Sequence, residues 1–316
     1  MQTLIGRVAA GAQTTKCVGT GRADEPIEKL TIDGIQPVAT QVDQVERFVS
    51  QAGRRHVLVL GGADTGKSYL VDTLAERLAG RGPAVAVIDA DPGQSRIGPP
   101  STVGLQQPRR RSAGADALSF VGSISPSGHL LAMLCGVVRM VDRAEREGGE
   151  LVVIDTPGFV AGPAAEALWR GVIDVLRPAV VFVGRGDPVA RWRLAGAEPM
   201  LEVAASDAVV ARGSAQRRAY RAAAWGRYFG GASERFLDAK QVPVWQMGGA
   251  DRPLTPGQLV SLRDAEGSDI ALGVVLASEG GGLRLGTPIA HEQRVTLVVG
   301  GRLRLDVTTW REHSLW

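Results

Sequence analysis

Asparagine is absent from the 316-residue chain, and lysine occurs only at Lys16, Lys29, Lys67 and Lys240, so arginine supplies nearly all the positive charge. A genomic or thermophilic bias accounts for both features, and it makes Lys67 conspicuous. No apolar run approaches the roughly 20 residues of a membrane span, and the N-terminus lacks the basic start and apolar stretch of a secretion signal. Cysteine is confined to Cys17 and Cys135, which read as reduced thiols of a cytoplasmic protein and not as a disulfide framework. Cys135 sits on an apolar helical face and reads as a small core residue. What remains is ordinary globular composition, 44% hydrophobic and 22% charged, enough for one large domain and a small one. The net charge of +3 and a pI near 9.1 lend slight support to an anionic partner.

Apolar runs and helical stripes alternate along the middle of the chain. "EKLTIDG" reads as a short strand, and "ATQVDQVERFVSQAG" as a helix with Val42, Val45 and Val49 on one face. "HVLVLG" (56–61) is a buried strand, followed by a glycine loop and a helix carrying Leu70, Leu74 and Leu78 that ends near Gly80. "AVAVIDAD" (84–91), "ALSFVGSIS" (117–125), "ELVVIDTPG" (150–158) and "AVVFVG" (179–184) are further strands. Ser127 is the expected N-cap of a helix burying Leu130, Leu134, Val137 and Val141. This alternation implies an α/β fold, a doubly wound and mainly parallel sheet covered on both faces, with ligands at the carboxyl ends of its strands. Beyond 240 the texture changes to short strands and glycine turns. The expected organisation is a short N-terminal segment (1–50), a nucleotide-binding domain (51–240) and a small C-terminal β domain (241–316).

"GGADTGKS" fits G-x-x-x-x-G-K-[ST] with a strand before it and a helix after it, which makes the match specific. Gly61, Gly62, Ala63, Asp64, Thr65, Gly66, Lys67, Ser68 and Tyr69 form the expected ATP-binding segment. Backbone amides cradle the phosphates, Lys67 reaches the β- and γ-phosphates, and the Ser68 hydroxyl holds Mg²⁺. "DADPGQS" (89–95) places two acids at a strand end. Asp91 is the candidate base for an acceptor hydroxyl and Asp89 the candidate support for Mg²⁺; the alternative is that Asp91-Pro92-Gly93 is turn chemistry alone. "IDTPG" puts Asp155 and Thr156 at another strand end and resembles the D-x-x-G switch of GTPases, although the guanine-reading N-K-x-D pattern needs an asparagine that the chain lacks. In "ARGSAQRRAYRAAAWGRYFGG" (211–231), Arg217 and Arg221 share a helical face. Like charges at that spacing call for an anion between them, as in a mobile arginine lid, or else form a solvated face.

Together these segments resemble the polynucleotide 5′-hydroxyl kinase family, which includes the kinase subunit of the mRNA cleavage factor, ribosomal RNA processing kinases and archaeal RNA kinases. "DTGKS", "DADPGQS" with its following "IGPP", and "FVGSISPSGHL" (120–130) are similar to family motifs. "DTPGFV" stands where the family has a Thr-x-Gly-aromatic clasp on the substrate backbone. Arg212, Arg217 and Arg221 with "YFGG" (228–231) repeat the family's lid spacing. The resemblance covers about 56–232 and, more weakly, the β tail. It implies that Lys67 and Ser68 belong to the phosphate loop, that Asp91 is the catalytic base, and that Arg212, Arg217 and Arg221 are the catalytic lid. It further implies that Gln94, Thr156 and Gly158 bind substrate. Two departures stand out: about 50 residues precede the core where the family often has a full β domain holding adenine, and Phe159 replaces the common tryptophan.

The resemblance implies ATP- and Mg²⁺-dependent phosphoryl transfer to the 5′-hydroxyl of RNA or DNA, most readily a single-stranded end. Trp192 is a possible stacking platform for a base, with packing as its alternative. Arg109, Arg110 and Arg111 would add backbone attraction, with a solvated loop as theirs. Rival readings are a GTPase or metallochaperone-like switch, a nucleotide-holding scaffold and a small-molecule kinase.

Overall fold

The computed structural model describes residues 38–107, 115–184, 197–206, 209–249, 252–279 and 281–315. The expected strand at 28–34, Cys17, Arg109, Arg110, Arg111 and Trp192 lie outside them. The described residues open with α1 (Val38–Ala52), β1 (His56–Gly61), α2 (Lys67–Ala79), β2 (Val85–Asp89), β3 (Thr102–Gln106) and β4 (Ala117–Phe120). They continue through α3 (Leu130–Arg146), β5 (Leu151–Asp155), α4 (Pro163–Leu176), β6 (Ala179–Val183), β7 (Met200–Val203) and α5 (Ser214–Phe229). Seven strands complete the described residues: β8 (Ser233–Asp238), β9 (Val244–Gln246), β10 (Gln258–Arg263), β11 (Asp269–Glu279), β12 (Gly282–Thr287), β13 (Leu297–Leu305) and β14 (Glu312–Ser314), six of them after residue 240.

Five strands, in the order β2-β5-β1-β6-β7, run parallel. Their side chains alternate between two cores, as strand pleating requires. Leu58, Leu60, Ile154, Val180 and Phe182 join the core built by α3 and α4, while Val57, Val59, Val153, Val181 and Val183 join that of α1 and α2. Burial on both faces explains the unbroken Val/Ile/Leu runs, and each such side chain contributes roughly 1.5–3 kcal/mol. The expected stripes of α1 and α2 are buried: Val42, Val45 and Val49 on one, Leu70, Leu74 and Leu78 on the other.

The mainly parallel sheet expected from the alternation is present, and the expectations that fail are local. β3 is an antiparallel strand between β2 and β4 that the sequence reading passed over. The strand expected over 117–125 ends at Phe120, because the amides of Val121 and Gly122 both turn to the Ser101 carbonyl, at 2.8 and 3.3 Å. Ser127 does not cap α3. Gly128 takes a left-handed φ of 76°, and the helix starts beyond His129. Cys135 is exposed, since the buried stripe of α3 runs through Met133, Gly136, Val137 and Met140 and position 135 falls beside it.

The sheet continues past β4. Asp269 at the start of β11 pairs with Leu118, and its carboxylate accepts from the Phe120 amide (2.9 Å), Ser261 Oγ (2.5 Å) and Arg263 Nε (2.6 Å). The C-terminal half of α5 packs on this second region, with Trp225 and Phe229 in a core with Phe120, Leu259 and Val299. Phe229 stacks on Trp310 at 5.2 Å, and Tyr228 Oη accepts from the Leu272 amide at 2.8 Å. α5 is thereby anchored at its far end while its first turns reach the strand ends of the parallel sheet.

Candidate active site

β1 runs directly into the loop Gly61–Ser68. A Cβ on Gly61 would stand 2.4 Å from the Val183 carbonyl oxygen, so only glycine lets the loop leave the sheet here. Asp64 (φ 53°) and Gly66 (φ 92°) turn the backbone left-handed before α2 begins, which aims the first amides of α2 into the space above the sheet. Lys67 is buried, with 6% of its surface exposed. Its Nζ donates to the Gly62 carbonyl and lies 3.4 Å from Thr65 Oγ1. Burial holds its pKa below the usual lysine value, while Asp155, Asp91 and Asp64 pull the other way.

Three carboxylates surround the lysine, and the structure gives them different partners. Asp89 and Asp155 face each other in register on β2 and β5. Asp89 is saturated by the backbone: Oδ1 accepts from the Asp91 amide (3.0 Å), and Oδ2 from the amides of Arg96 (2.5 Å) and Ile97 (3.1 Å). Burial, then Asp155 and Asp91, push its pKa up to about 7. Asp155 Oδ2 accepts from Arg96 Nη2 at 2.9 Å, but its Oδ1 is buried without a hydrogen-bond partner. Asp91 Oδ1 accepts from the amides of Gly93 (2.8 Å) and Gln94 (2.9 Å), and burial raises its pKa. The turn chemistry and a place at the cavity therefore coexist in Asp91: Oδ1 holds the turn, and the residue lines the cavity.

The clasp segment is fixed from both sides. Thr156 Oγ1 donates to the Val59 carbonyl at 2.7 Å, tying the end of β5 to β1. A Cβ on Gly158 would meet the Ala63 amide nitrogen at 2.5 Å, so this segment lies directly on the phosphate loop. Trp169 Nε1 on α4 donates to the Phe159 carbonyl at 2.7 Å.

α5 and the turn before it bring the arginines to different places. Asp64 Oδ2 accepts from the Arg212 amide (3.2 Å) and from Arg217 Nη2 (2.6 Å). The Arg212 guanidinium lies 3.5 Å from Gln94 Oε1 and 5.8 Å from the Tyr220 ring centre. Tyr220 Oη donates to the Ser95 carbonyl at 2.9 Å. Arg221 is buried against Glu312 of β14, with Nε and Nη2 at 2.9 and 2.5 Å from one carboxylate oxygen. The anion expected between Arg217 and Arg221 is thus replaced by two carboxylates of the same chain, Asp64 and Glu312.

A cavity of about 620 Å³ collects Ala63–Tyr69, Asp89, Asp91, Gln94, Thr156, Gly158 and Arg212. Gly61 and Gly62 shape the loop beneath it, and Arg217 and Arg221 line a neighbouring cavity. Arg96 and Tyr220 line it although the sequence did not single them out, and so does Asp155, which the sequence placed only at a switch-like strand end. The place of Asp155 next to the loop after β1 follows from the strand order, which sets β5 beside β1. Arg96 carries a charge that burial opposes and that Asp72, Asp155 and Asp89 more than restore. Among the described residues no three His, Cys, Asp or Glu side chains form a metal cage. A nucleotide-borne Mg²⁺ needs none, since it keeps waters and phosphate oxygens and takes one or two protein ligands. The unpartnered Asp155 Oδ1 and the Ser68 hydroxyl fit that requirement. No helix among the described residues is long and apolar enough to cross a membrane.

The family model for the P-loop of the mRNA cleavage and polyadenylation factor CLP1 matches residues 61–231. Among curated proteins the chain is similar to a polyribonucleotide 5′-hydroxyl-kinase of Thermococcus kodakarensis, at 33% identity over 196 residues, covering 60% of this chain and 55% of that one. It is similar to a protein of the same description from Pyrococcus horikoshii, at 32% over 179 residues, covering 55% and 49%. It also resembles the polynucleotide 5′-hydroxyl-kinase GRC3 of Debaryomyces hansenii, at 26% over 167 residues, covering 48% and 23%. The chain spans about half the length of the first two relatives. Among solved structures, Clp1p in the wild-type Clp1p–Pcf11p complex has the same fold, with a TM-score of 0.67 at 13% identity, covering 84% of this chain and 79% of that one.

Proposed function

The chain belongs to the CLP1 P-loop family, and from that premise we propose that it transfers the γ-phosphoryl group of ATP to the 5′-hydroxyl of a single-stranded RNA. The observation that carries this reading is Asp91. Its Oδ1 is fixed by two amides, its raised pKa suits proton acceptance, and it shares a cavity with Lys67 and Ser68. A nucleotide switch or a scaffold needs no such base. The choice of RNA rests on the relatives, several of which are described as polyribonucleotide kinases.

In the proposed reaction the phosphate loop and Lys67 hold the triphosphate, and Gln94, Thr156 and Gly158 border the acceptor's position. The 5′-oxygen attacks the γ-phosphorus while its proton passes to Asp91 Oδ2. The new O–P bond forms as the bond to the β-phosphate oxygen breaks, and ADP leaves. Lys67 and Arg212 offset the charge spread over the migrating group. Mg²⁺ would be held by Ser68 and Asp155, in preference to Asp89, and would neutralise charge on the β- and γ-phosphates. Arg217 acts through Asp64 and Arg221 through Glu312, as positioning residues of the lid.

The experiment is incubation with γ-labelled ATP and 5′-hydroxyl oligonucleotides, RNA and DNA, single- and double-stranded. Label should appear on single-stranded RNA and require Mg²⁺. Guanine-selective hydrolysis without any need for an acceptor would replace the kinase with a switch.

A further inference from the structure

Next to the ATP cavity lies a second one, of about 560 Å³, between the first turns of α5 and the C-terminal strands. That volume is far more than one phosphate group needs and falls within the range of ligand sites, roughly 300–1,000 Å³. Four guanidinium groups line it, those of Arg217, Arg218, Arg221 and Arg302, against the single carboxylate of Glu312. Glu312 is already taken by Arg221, and Arg217 is paired with Asp64 outside the cavity, which leaves Arg218 and Arg302. Arg218 is exposed and has no ion pair among the described residues. Arg302 Nε is buried without a hydrogen-bond partner. The walls thus hold an excess of positive charge that the protein itself leaves uncompensated, and the His129 imidazole on the wall is held below the usual histidine range by burial and by Arg302.

The hydroxyl groups of the cavity point the same way. Ser123 Oγ accepts from the Ser125 amide at 3.1 Å, and Ser125 Oγ accepts from the Ser127 amide at 3.2 Å. Each hydroxyl oxygen is satisfied by the backbone, which leaves its proton to donate to an incoming acceptor. Guanidinium groups and hydroxyl donors with one occupied carboxylate are the chemistry of phosphodiester recognition.

The two cavities adjoin through shared elements. On α5, Gln216 and Tyr220 face the ATP cavity while Arg217, Arg218 and Arg221 face the second. The Asp91-Pro92-Gly93 turn touches the second cavity's wall, since a Cβ on Gly93 would stand 2.7 Å from the Ile124 carbonyl oxygen. A strand with its 5′ end at Asp91 has this cleft beside it.

We propose that the cleft between α5 and the C-terminal strands binds the phosphodiester backbone of the acceptor strand behind its 5′ end, so that the C-terminal region serves as the strand's platform. The inference rests on the kinase reading for its direction, and its test separates the two. The full chain is titrated by fluorescence anisotropy with 5′-phosphorylated, 3′-labelled RNA of two, five and ten nucleotides, which needs no turnover. In parallel, kcat/KM is measured for 5′-hydroxyl RNA of the same lengths. Wild-type protein should bind the ten-mer more tightly than the dinucleotide and use it better. Arg218→Glu, and separately Arg302→Gln, should each weaken ten-mer binding on the order of 10-fold and reduce its advantage in kcat/KM. Each should also flatten the salt dependence by about one phosphate contact, a slope change of ~0.7. Wild-type length dependence in both variants overturns the proposal. Competition by poly-aspartate as strong as by RNA of equal charge also overturns it, in favour of an acidic protein partner. Length-dependent binding that both variants reduce, without phosphoryl transfer to any RNA, would keep the cleft and remove the kinase.

Discussion

Arg217 Nη2 stands 2.6 Å from Asp64 Oδ2, so an arginine of α5 is tied to a carboxylate inside the phosphate loop. The same oxygen accepts from the Arg212 amide. One loop residue therefore sets where the first turn of α5 sits relative to Lys67. The pair is partly exposed, and its net contribution to stability is of the order of 1 kcal/mol or less. Asp64→Ala should leave the melting temperature nearly unchanged while hydrogen exchange over 211–217 accelerates. Exchange over 222–229 should stay slow, because Trp225 and Phe229 anchor that half of α5. Equal protection along the helix in the variant would show that Asp64 does not hold it.

Gly158 tests the contact between clasp and loop. An alanine there brings a Cβ within 2.7 Å of three Ala63 atoms, two of them backbone, and neither neighbour is a flexible side-chain tip. Gly158→Ala should lower ATP affinity on the order of 10-fold or more by displacing the loop, and cost roughly 1–3 kcal/mol of stability through overpacking. Calorimetric titration with a non-hydrolysable ATP analogue measures the first and denaturant unfolding the second. Unaltered affinity would mean that the two segments move apart without consequence.

The buried pair Arg221–Glu312 makes a stability statement. Removing Glu312 leaves a buried guanidinium unpaired, which costs about 3–5 kcal/mol. Glu312→Ala should lower the unfolding free energy by that amount, and Arg221→Ala should also destabilise. A loss of activity in Arg221→Ala is therefore informative only beside an unfolding curve. If Glu312→Ala unfolds like wild type, the pair is solvated in solution and Arg221 is available to the lid.

Asp89 gives the protein a pH signature. Its carboxyl titrates at about 7 in the fold against 3.8 for the free side chain. Below about pH 4 it is protonated in both folded and unfolded chains, and its favourable contribution is complete. Between pH 4 and 7 the unfolded chain gives up the proton first, so stability contributed by this group falls as pH rises. Asp155→Asn removes a charge that helps raise the pKa, so the nucleotide-free variant should lose less stability than wild type over that interval. Parallel slopes from urea unfolding at pH 4.5 to 8 would show that Asp155 does not act on Asp89.

Much of this architecture is legible in the sequence because its signals are local. The parallel strands announce themselves as buried runs, and the phosphate loop by its fixed spacing between strand and helix. The misreadings arise where a distant group decides. β3 is short and glycine-containing, and its pairing with β2 and β4 lies outside any local window. The strand through 117–125 stops where Ser101 captures two amides. Asp89 and Asp155 look interchangeable as acids at strand ends. Only the packed structure shows that one is filled by backbone amides while the other keeps a free oxygen. Arg221 carries the family spacing, but its partner Glu312 lies 91 residues away.

The central claim is that Asp91 accepts the proton of a 5′-hydroxyl while Lys67 holds the phosphate. Single-turnover transfer from γ-labelled ATP to a 5′-hydroxyl RNA, compared across wild type, Lys67→Ala and Asp91→Asn, tests it most directly when ATP-analogue binding is measured on the same samples. Asp91→Asn should lose on the order of 10²-fold or more in rate with nucleotide binding retained, whereas Lys67→Ala should abolish transfer in a folded protein. Transfer at the wild-type rate in folded Asp91→Asn, or no labelled RNA from the wild-type protein with any oligonucleotide, would contradict it.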